Sequence, residues 1–430
     1  MVFLPSLDRR NFMTLVGTVA LTSSAKAATP ITLPSPSEEL GKDPAFWASV
    51  RDLYDVDTSV ANLENGYWGI MAKPVLADYL RWTNKINVEN TAYARTSIGP
   101  DWKAAVAAVA QAAGFAEEEI ALTRGATEAL QLLITNYNKL KSGDTVVYSD
   151  LDYDSMQYAM EWLAERRGVT VVKISMPEPA TRQGVLDAYA AAIAANPKLK
   201  LLLLTHVSHR TGLLLPVKDI AAMAREKGID VILDAAHSWG QVDFKPAELG
   251  IDFIGFNLHK WIGAPIGNGF LYIAKSRLAD IDTQLGDHDH PRDSILSRVH
   301  TGTVNFAGVL TLPSAVALHQ QIGTAAKAAR VRYLRDLWVN EARKLNGIDI
   351  LTPDEPGMSA GITSFRLKGQ TQPAQVNAFV KTLREKYKVL TVIRTGVTNG
   401  ACIRVAPAIY TTEADVMKLV DALRAEVQQG

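Results

Sequence analysis

The sequence predicts an α/β protein: a large domain on a mostly parallel sheet, followed by a smaller C-terminal α+β domain. Two observations carry this. From about Asp101, short β-branched and apolar runs alternate with Ala- and Leu-rich stretches at helical spacing. The strand-like runs are apolar throughout rather than at every second residue, as in strands covered on both faces. A chain of 430 residues is long enough for two domains.

Taken in order, 102–113 and 126–137 are Ala- and Leu-rich helices, the second opened by a Gly-containing turn. Thr145-Val146-Val147-Tyr148 is a strand, and 154–166 the helix after it. Further strands are expected over 169–174, 200–205, 231–234, 253–256 and 269–273, the last with room for an antiparallel partner. Helices are expected over 186–194 and 217–226. The polar stretch from Asp287 to Pro291 breaks this rhythm. A long helix follows over 324–345, then short strands over 362–367, 389–392 and 402–405, and a closing helix over 413–427. The domains are therefore expected at 62–310 and 311–430.

The N-terminus reads as an export signal. Arg9-Arg10-Asn11-Phe12 stands before the apolar run Leu15 to Leu21, and Ala25-Lys26-Ala27 offers small residues for cleavage. The run is too short to span a bilayer. The layout resembles a twin-arginine signal over 1–27, with Asp8 where Ser or Thr is more usual. A mature chain beginning near Ala28, with 28–61 as N-terminal segment and linker, is then periplasmic or secreted, with no membrane anchor after cleavage.

Composition narrows the function class. Lys+Arg and Asp+Glu each total 45, so no net field draws nucleic acid or an anionic membrane. Hydrophobic residues at 47% and charged residues at 21% suit a small-molecule protein without naming one. The single Cys402 excludes an internal disulfide and a cysteine-built metal site.

Three elements carry chemistry. Phe256-Asn257-Leu258-His259-Lys260 puts an amine just past a buried strand, with Gly263, Pro265, Gly267 and Gly269 following, where open α/β sheets bind ligands. Val231-Ile232-Leu233-Asp234 ends another buried strand on a carboxylate, with His237 three residues on. Alone, that carboxylate would serve as well for a helix cap or a metal. Thr123-Arg124-Gly125-Ala126-Thr127 opens a helix whose free N–H groups and dipole suit a phosphate. No Gly-Lys-Ser/Thr follows, so this is not a P-loop, and no Gly-x-Gly-x-x-Gly follows a strand, which counts against NAD. An amine, a buried carboxylate and a phosphate cradle are what pyridoxal 5′-phosphate (PLP) needs, the carboxylate keeping the pyridine nitrogen protonated.

In this order the elements resemble the fold-type I PLP enzymes, in the class V aminotransferase family, near its isopenicillin N epimerase-like branch, from about Asn62 to Tyr410. The resemblance implies a seven-stranded-type sheet and PLP as cofactor. It implies that Lys260 is the Schiff-base and proton-moving lysine, that Asp234 partners the pyridine nitrogen, and that His237 contacts the phenolate or Schiff-base region. Gly125, Ala126 and Thr127 would hold the phosphate with Asn257 and His259, and Tyr153 would stack on the ring. His209 matches a position often held by Asn, which leaves its role open. Thr303, in Thr301-Gly302-Thr303, would reach a partner subunit's phosphate, which implies a homodimer. Arg404 would hold a substrate carboxylate. Asn65 and Tyr67, with Trp68, are expected near the pocket mouth, though core packing accounts equally well for the two aromatics.

The expected activity is therefore an aminotransferase or epimerase acting on the α-carbon of an amino-acid or peptide-like amine. A C–S or other β-lyase is the alternative; a non-catalytic PLP-fold binder and a metal-binding secreted protein are more distant ones. Cys402 lies two residues from Arg404 on one expected strand, which argues for packing rather than nucleophilic chemistry. Asp287, His288, Asp289 and His290 lack a further convergent cluster, so no metal site is expected.

Overall fold

The computed structural model describes residues 38–427, and the expected signal segment lies outside them. Seven strands form the larger sheet: β1 (Ile120–Thr123), β2 (Thr145–Ser149), β3 (Thr170–Ile174), β4 (Leu199–Thr205), β5 (Asp230–Asp234), β6 (Phe253–Asn257) and β7 (Gly269–Ile273). Their order is β1-β7-β6-β5-β4-β2-β3. β7 runs antiparallel to both of its neighbours, and every other pairing is parallel.

Burial on both faces explains the continuous apolar runs. On β4, Leu201 and Leu203 pack into one hydrophobic cluster while Leu202 and Leu204 pack into another. Ile232 and Leu233 of β5 divide in the same way. The parallel strands need crossovers, and helices such as α3 (Ala126–Asn136) and α4 (Asp154–Arg167) supply them. β3 lies outside β2 while β4 lies on its other side, so the chain reverses its winding between β2 and β4. A crevice opens beyond the carboxyl ends of the strands at such a switch point.

The smaller sheet is antiparallel, with β8 (Ile348–Ile350), β9 (Thr363–Leu367), β10 (Val392–Arg394) and β11 (Cys402–Val405) in the order β10-β11-β9-β8. α5 (Thr324–Ala342), α6 (Pro373–Tyr387) and α7 (Glu413–Val427) cover it through a cluster that includes Trp338, Phe365, Phe379 and Leu419. Ala61–Asn62 pairs in parallel with Val389–Leu390, which ties the chain before the large sheet to this later part.

Most expected elements fall within a few residues of those observed. The sequence reading missed β1, β8, α6, the helices over Pro44–Arg51 and Leu312–Ile322, α1 (Lys73–Thr96) and the first turn of α2 (Ile98–Ala113), whose remainder it placed at 102–113. Among the buried positions of α1 only Val75 and Tyr93 appear, so no apolar stripe marks it. The antiparallel member beside the lysine strand is β7.

Two contacts between these parts hold the backbone around Lys260. Gly69 N donates to His259 O at 2.9 Å. A Cβ on Gly69 would lie 2.2 Å from the Lys260 carbonyl oxygen, so only glycine fits. Lys327 of α5, 3% exposed, donates from Nζ to Trp261 O at 2.5 Å and lies 3.1 Å from His319 Nδ1. Burial pushes its amine down to about 7.

Candidate active site

A cavity of about 660 Å³ opens at the carboxyl ends of the strands. Asp234 ends β5 and Asn257 ends β6, adjacent strands in register. Lys260, three residues past β6, reaches the same cavity. The start of α3 supplies Gly125, Ala126 and Thr127, and the loops after β2 and β4 supply Tyr153 and His209.

The helix start is tightly fitted. Ala126 N donates to Asn257 Oδ1 at 2.8 Å. A Cβ on Gly125 would lie 2.9 Å from that same oxygen and 3.2 Å from His259 Cε1. A Cβ on Gly269 would lie 2.6 Å from Gly125 Cα, so β7 also needs a glycine here. Glu128 folds back to accept from Arg124 N at 2.7 Å, and Thr127 and Glu128 both line the cavity. First-turn amides facing a cavity make an anion cradle. His259 Nδ1 lies 2.9 Å from Asn268 O, which makes that nitrogen the donor and fixes the ring.

The buried polar groups are poised. Lys260 Nζ lies 2.9 Å from His237 Nε2. Burial pushes the Lys260 amine down to about 7, with Asp234 opposing the shift and Arg404 and Arg394 reinforcing it. Burial raises the Asp234 carboxyl above the usual carboxylate range, while the amide of Ala236 and Lys260 pull it back. Ala236 N donates to Asp234 Oδ1 at 2.8 Å and fixes the carboxylate's orientation. His237 and His209 are held well below the ordinary imidazole range, by burial first and nearby cations second, so both rings are neutral. His237 Nδ1 is buried without a hydrogen-bond partner.

Tyr153 is 40% exposed, and its ring meets His209 edge-on at 5.0 Å. Behind it, the wholly buried Asp152 accepts from Thr205 Oγ1 at 2.5 Å and from Ser149 N at 2.6 Å, which joins the ends of β2 and β4. Thr205 itself lines the cavity. Neither residue stood out in the sequence, because the tie spans strands that are not consecutive.

The remaining expected residues divide. Tyr67 and Trp68 line the cavity as a tilted pair 4.7 Å apart, 67% and 46% exposed. Asn65 does not line it: its side chain donates to Asn62 O and Ala406 O and accepts from Tyr410, fastening that segment. Thr303 is exposed and is not among the cavity residues of its own chain. Arg404 is 1% exposed and donates to Glu64 through Nε and Nη2 and to His209 O through Nη1. Glu64 and Arg394, which also lines the cavity, were not singled out in the sequence. Arg394 pairs opposite Cys402 across β10 and β11, which puts it on the same face as Arg404, one step diagonal. Only the register of these two strands reveals this.

Cys402 is buried, its thiol pushed up to about 11 by burial. Among the described residues, the acidic and histidine groups that meet are Asp287, Asp289 and His300, with ligand atoms within 4.8 Å of one another; His288 and His290 are not in the group.

Comparison with known proteins agrees with this geometry. The aminotransferase class-V family model matches residues 76–419. Isopenicillin N epimerase of Streptomyces clavuligerus is 28% identical over 401 residues, covering 89% of this chain and 98% of that protein. The cysteine desulfurase CsdA of Escherichia coli superposes with a TM-score of 0.76 at 22% identity, covering 89% of this chain and 98% of its own. The cystine C-S lyase C-DES, solved with its product cysteine persulfide, superposes at 0.73 with 22% identity, covering 85% and 97%.

Proposed function

The chain belongs to the class-V aminotransferase family and is a PLP-dependent enzyme, and from that premise we propose that it acts on the α-carbon of an amino-acid or peptide-like amine outside the cytoplasm. The observation that carries the reading is the meeting of Lys260, Asp234 and the Gly125 helix start in one cavity.

The residues present fit the cofactor. The glycine-lined start of α3 suits its phosphate, the buried Asp234 carboxylate its pyridine nitrogen, and the buried Lys260 amine its carbonyl carbon. Tyr153, His209 and His237 would line the ring, and Asn257 and His259 would buttress the phosphate end. When bound, PLP supplies an electron sink for a substrate carbanion.

The chain's own groups do the rest. Both protonation forms of an amine near 7 are populated at neutral pH, so Lys260 Nζ can take a proton from the substrate's α-carbon and return it. The neutral His237 ring keeps a hydrogen-bonding partner 2.9 Å from that nitrogen without adding charge. The cavity is nearly buried at Asp234, His209 and His237 and exposed at Tyr67, Trp68 and Tyr153, so access of water is limited only at its inner end.

Proton return to the α-carbon from the opposite face gives epimerisation, and proton delivery elsewhere gives transamination. The C–S β-lyase reading rests on relatives such as the cystine C-S lyase. A visible spectrum of the purified protein with added L- and D-amino acids, with chiral and product analysis of the same mixtures, separates these. Racemisation of the added amino acid supports the first, conversion to the pyridoxamine form the second, and sulfide or pyruvate release the third. A colourless protein that takes up no PLP overturns all of them.

Export is proposed from the Arg9-Arg10 segment; recovery of the tagged full chain from the cytosolic fraction alone would overturn it. Among the described residues no helix is long and apolar enough to cross a membrane. A homodimer is proposed from the Thr301-Gly302-Thr303 loop, exposed at Gly302 and Thr303, and sedimentation at the mass of one chain would overturn it.

A further inference from the structure

Arg394 and Arg404 both line the cavity, yet a single carboxylate, Glu64, serves them. Every nitrogen of Arg404 is engaged, by Glu64 at Nε and Nη2 and by His209 O at Nη1. Arg394 has one long bond, Nη2 to Glu64 Oε1 at 3.4 Å, and its Nε is buried with no partner. Burial and the neighbouring Arg404 pull the Arg394 guanidinium down to about 10.

Glu64 is not on a loose segment. Its own N–H donates to Asn62 Oδ1 at 2.9 Å, Asn65 N donates to Ala406 O at 3.0 Å, and Ala406 N donates to Leu63 O at 2.7 Å. The backbone around Glu64 is thus laced to the segment that follows Arg404. Gly66 completes the fit, because a Cβ there would lie 2.8 Å from Arg404 Nη2.

An incoming carboxylate therefore meets two unequal arginines. At Arg404 it must displace a nearly buried, two-pronged partner that the backbone holds in place. At Arg394 it meets a guanidinium held only by one 3.4 Å bond to a carboxylate that Arg404 already engages twice. We propose that Glu64 closes Arg404 to the substrate and that Arg394 takes the substrate's carboxylate, which makes Glu64 and Arg394 the residues that select for it. This rests on the reading of the cavity as a site for an amine that bears a carboxylate.

The test is arginine footprinting with phenylglyoxal on the full chain, read by mass spectrometry, with L-alanine and L-alaninamide as probes. Arg394 is expected to be modified in the free protein and protected by L-alanine but not by L-alaninamide, while Arg404 stays unmodified. In Glu64→Gln, Arg404 should become reactive and L-alanine should protect both. Arg394→Gln should weaken L-alanine binding by about tenfold or more, the scale of a lost charge-assisted pair, and leave L-alaninamide unchanged. Protection of Arg404 instead of Arg394, protection of neither, or an unchanged acid-to-amide preference in Arg394→Gln overturns the proposal. The footprint needs no cofactor chemistry. Arg394 protection in a protein that takes up no PLP would sink the enzymatic reading and leave this one standing.

Discussion

The amine of Lys260 lies 2.9 Å from Nε2 of His237, and burial depresses the proton affinity of both groups. An ammonium here would lack the hydration that normally stabilises it, so the unprotonated amine is populated near neutral pH. Lys260→Ala should still take up PLP in the cradle at Gly125, but borohydride should no longer fix it to the protein. Turnover should fall by about 10³-fold or more, the loss expected when a proton-moving group is removed. Retained covalent attachment would assign the bond to another amine.

Asp234→Asn keeps the side chain's shape and can still accept from Ala236 N, so the cavity should stay intact. What it loses is the negative charge that would face the cofactor's ring nitrogen in the proposed arrangement. Turnover should drop by about 10²- to 10³-fold, with PLP retention much less affected. Equal turnover in the two proteins, measured at matched cofactor loading, would remove Asp234 from the mechanism.

Gly69→Ala places a methyl against the Lys260 carbonyl, where the neighbour is backbone and cannot swing aside. A stability loss of about 1–3 kcal/mol is expected in denaturant melts. A lower fraction of covalently held PLP should accompany it. A variant as stable and as fully loaded as wild type would show that the 67–69 segment moves freely.

Lys327 sets a pH dependence whose sign runs against habit. Its unfolded amine titrates near 10.5 and its folded amine near 7, so unfolding binds a proton between those values. The destabilisation is complete below about pH 7 and is relieved as pH rises toward 10.5. In Lys327→Met this slope should disappear. The melting temperature of wild type should gain on that of the variant between about pH 7 and pH 9. A constant difference across that range would mean that the amine keeps its proton when buried.

Cys402 bears on the desulfurase-like alternative. Its thiol is buried, lies 3.6 Å from Arg210 O and is pushed up to about 11, so almost none of it is thiolate at neutral pH. Cys402→Ser should leave any sulfur release from cysteine or cystine unchanged. A loss confined to sulfur chemistry, with PLP loading intact, would make this thiol a participant.

The strand ends that build the cavity were legible because each is a continuous apolar run closed by a polar residue, as in 231–234 and 253–257. Asp234 closes such a run and Lys260 follows one, whereas Gly125 was read from the helix it opens, the strand before it having been missed. The carboxylate-facing wall was harder to read. Arg394 meets Arg404 only through the β10–β11 register, and Glu64 arrives from a segment 340 residues away in sequence. Asp152 was passed over for the same reason, since its partner Thr205 is 53 positions on. Helix α1 escaped because most of its surface is polar, which leaves no periodic signal to find.

The bond from Lys327 to the Trp261 carbonyl makes the two halves of the chain mechanically answerable to each other. A helix that belongs with the small antiparallel sheet grips the peptide next to the reactive amine in the large one. Grafting the first 310 residues onto another scaffold would carry the cavity walls but leave that carbonyl without its donor. Chimaeras with relatives should therefore keep their chemistry only where the incoming helix brings an amine to the same place.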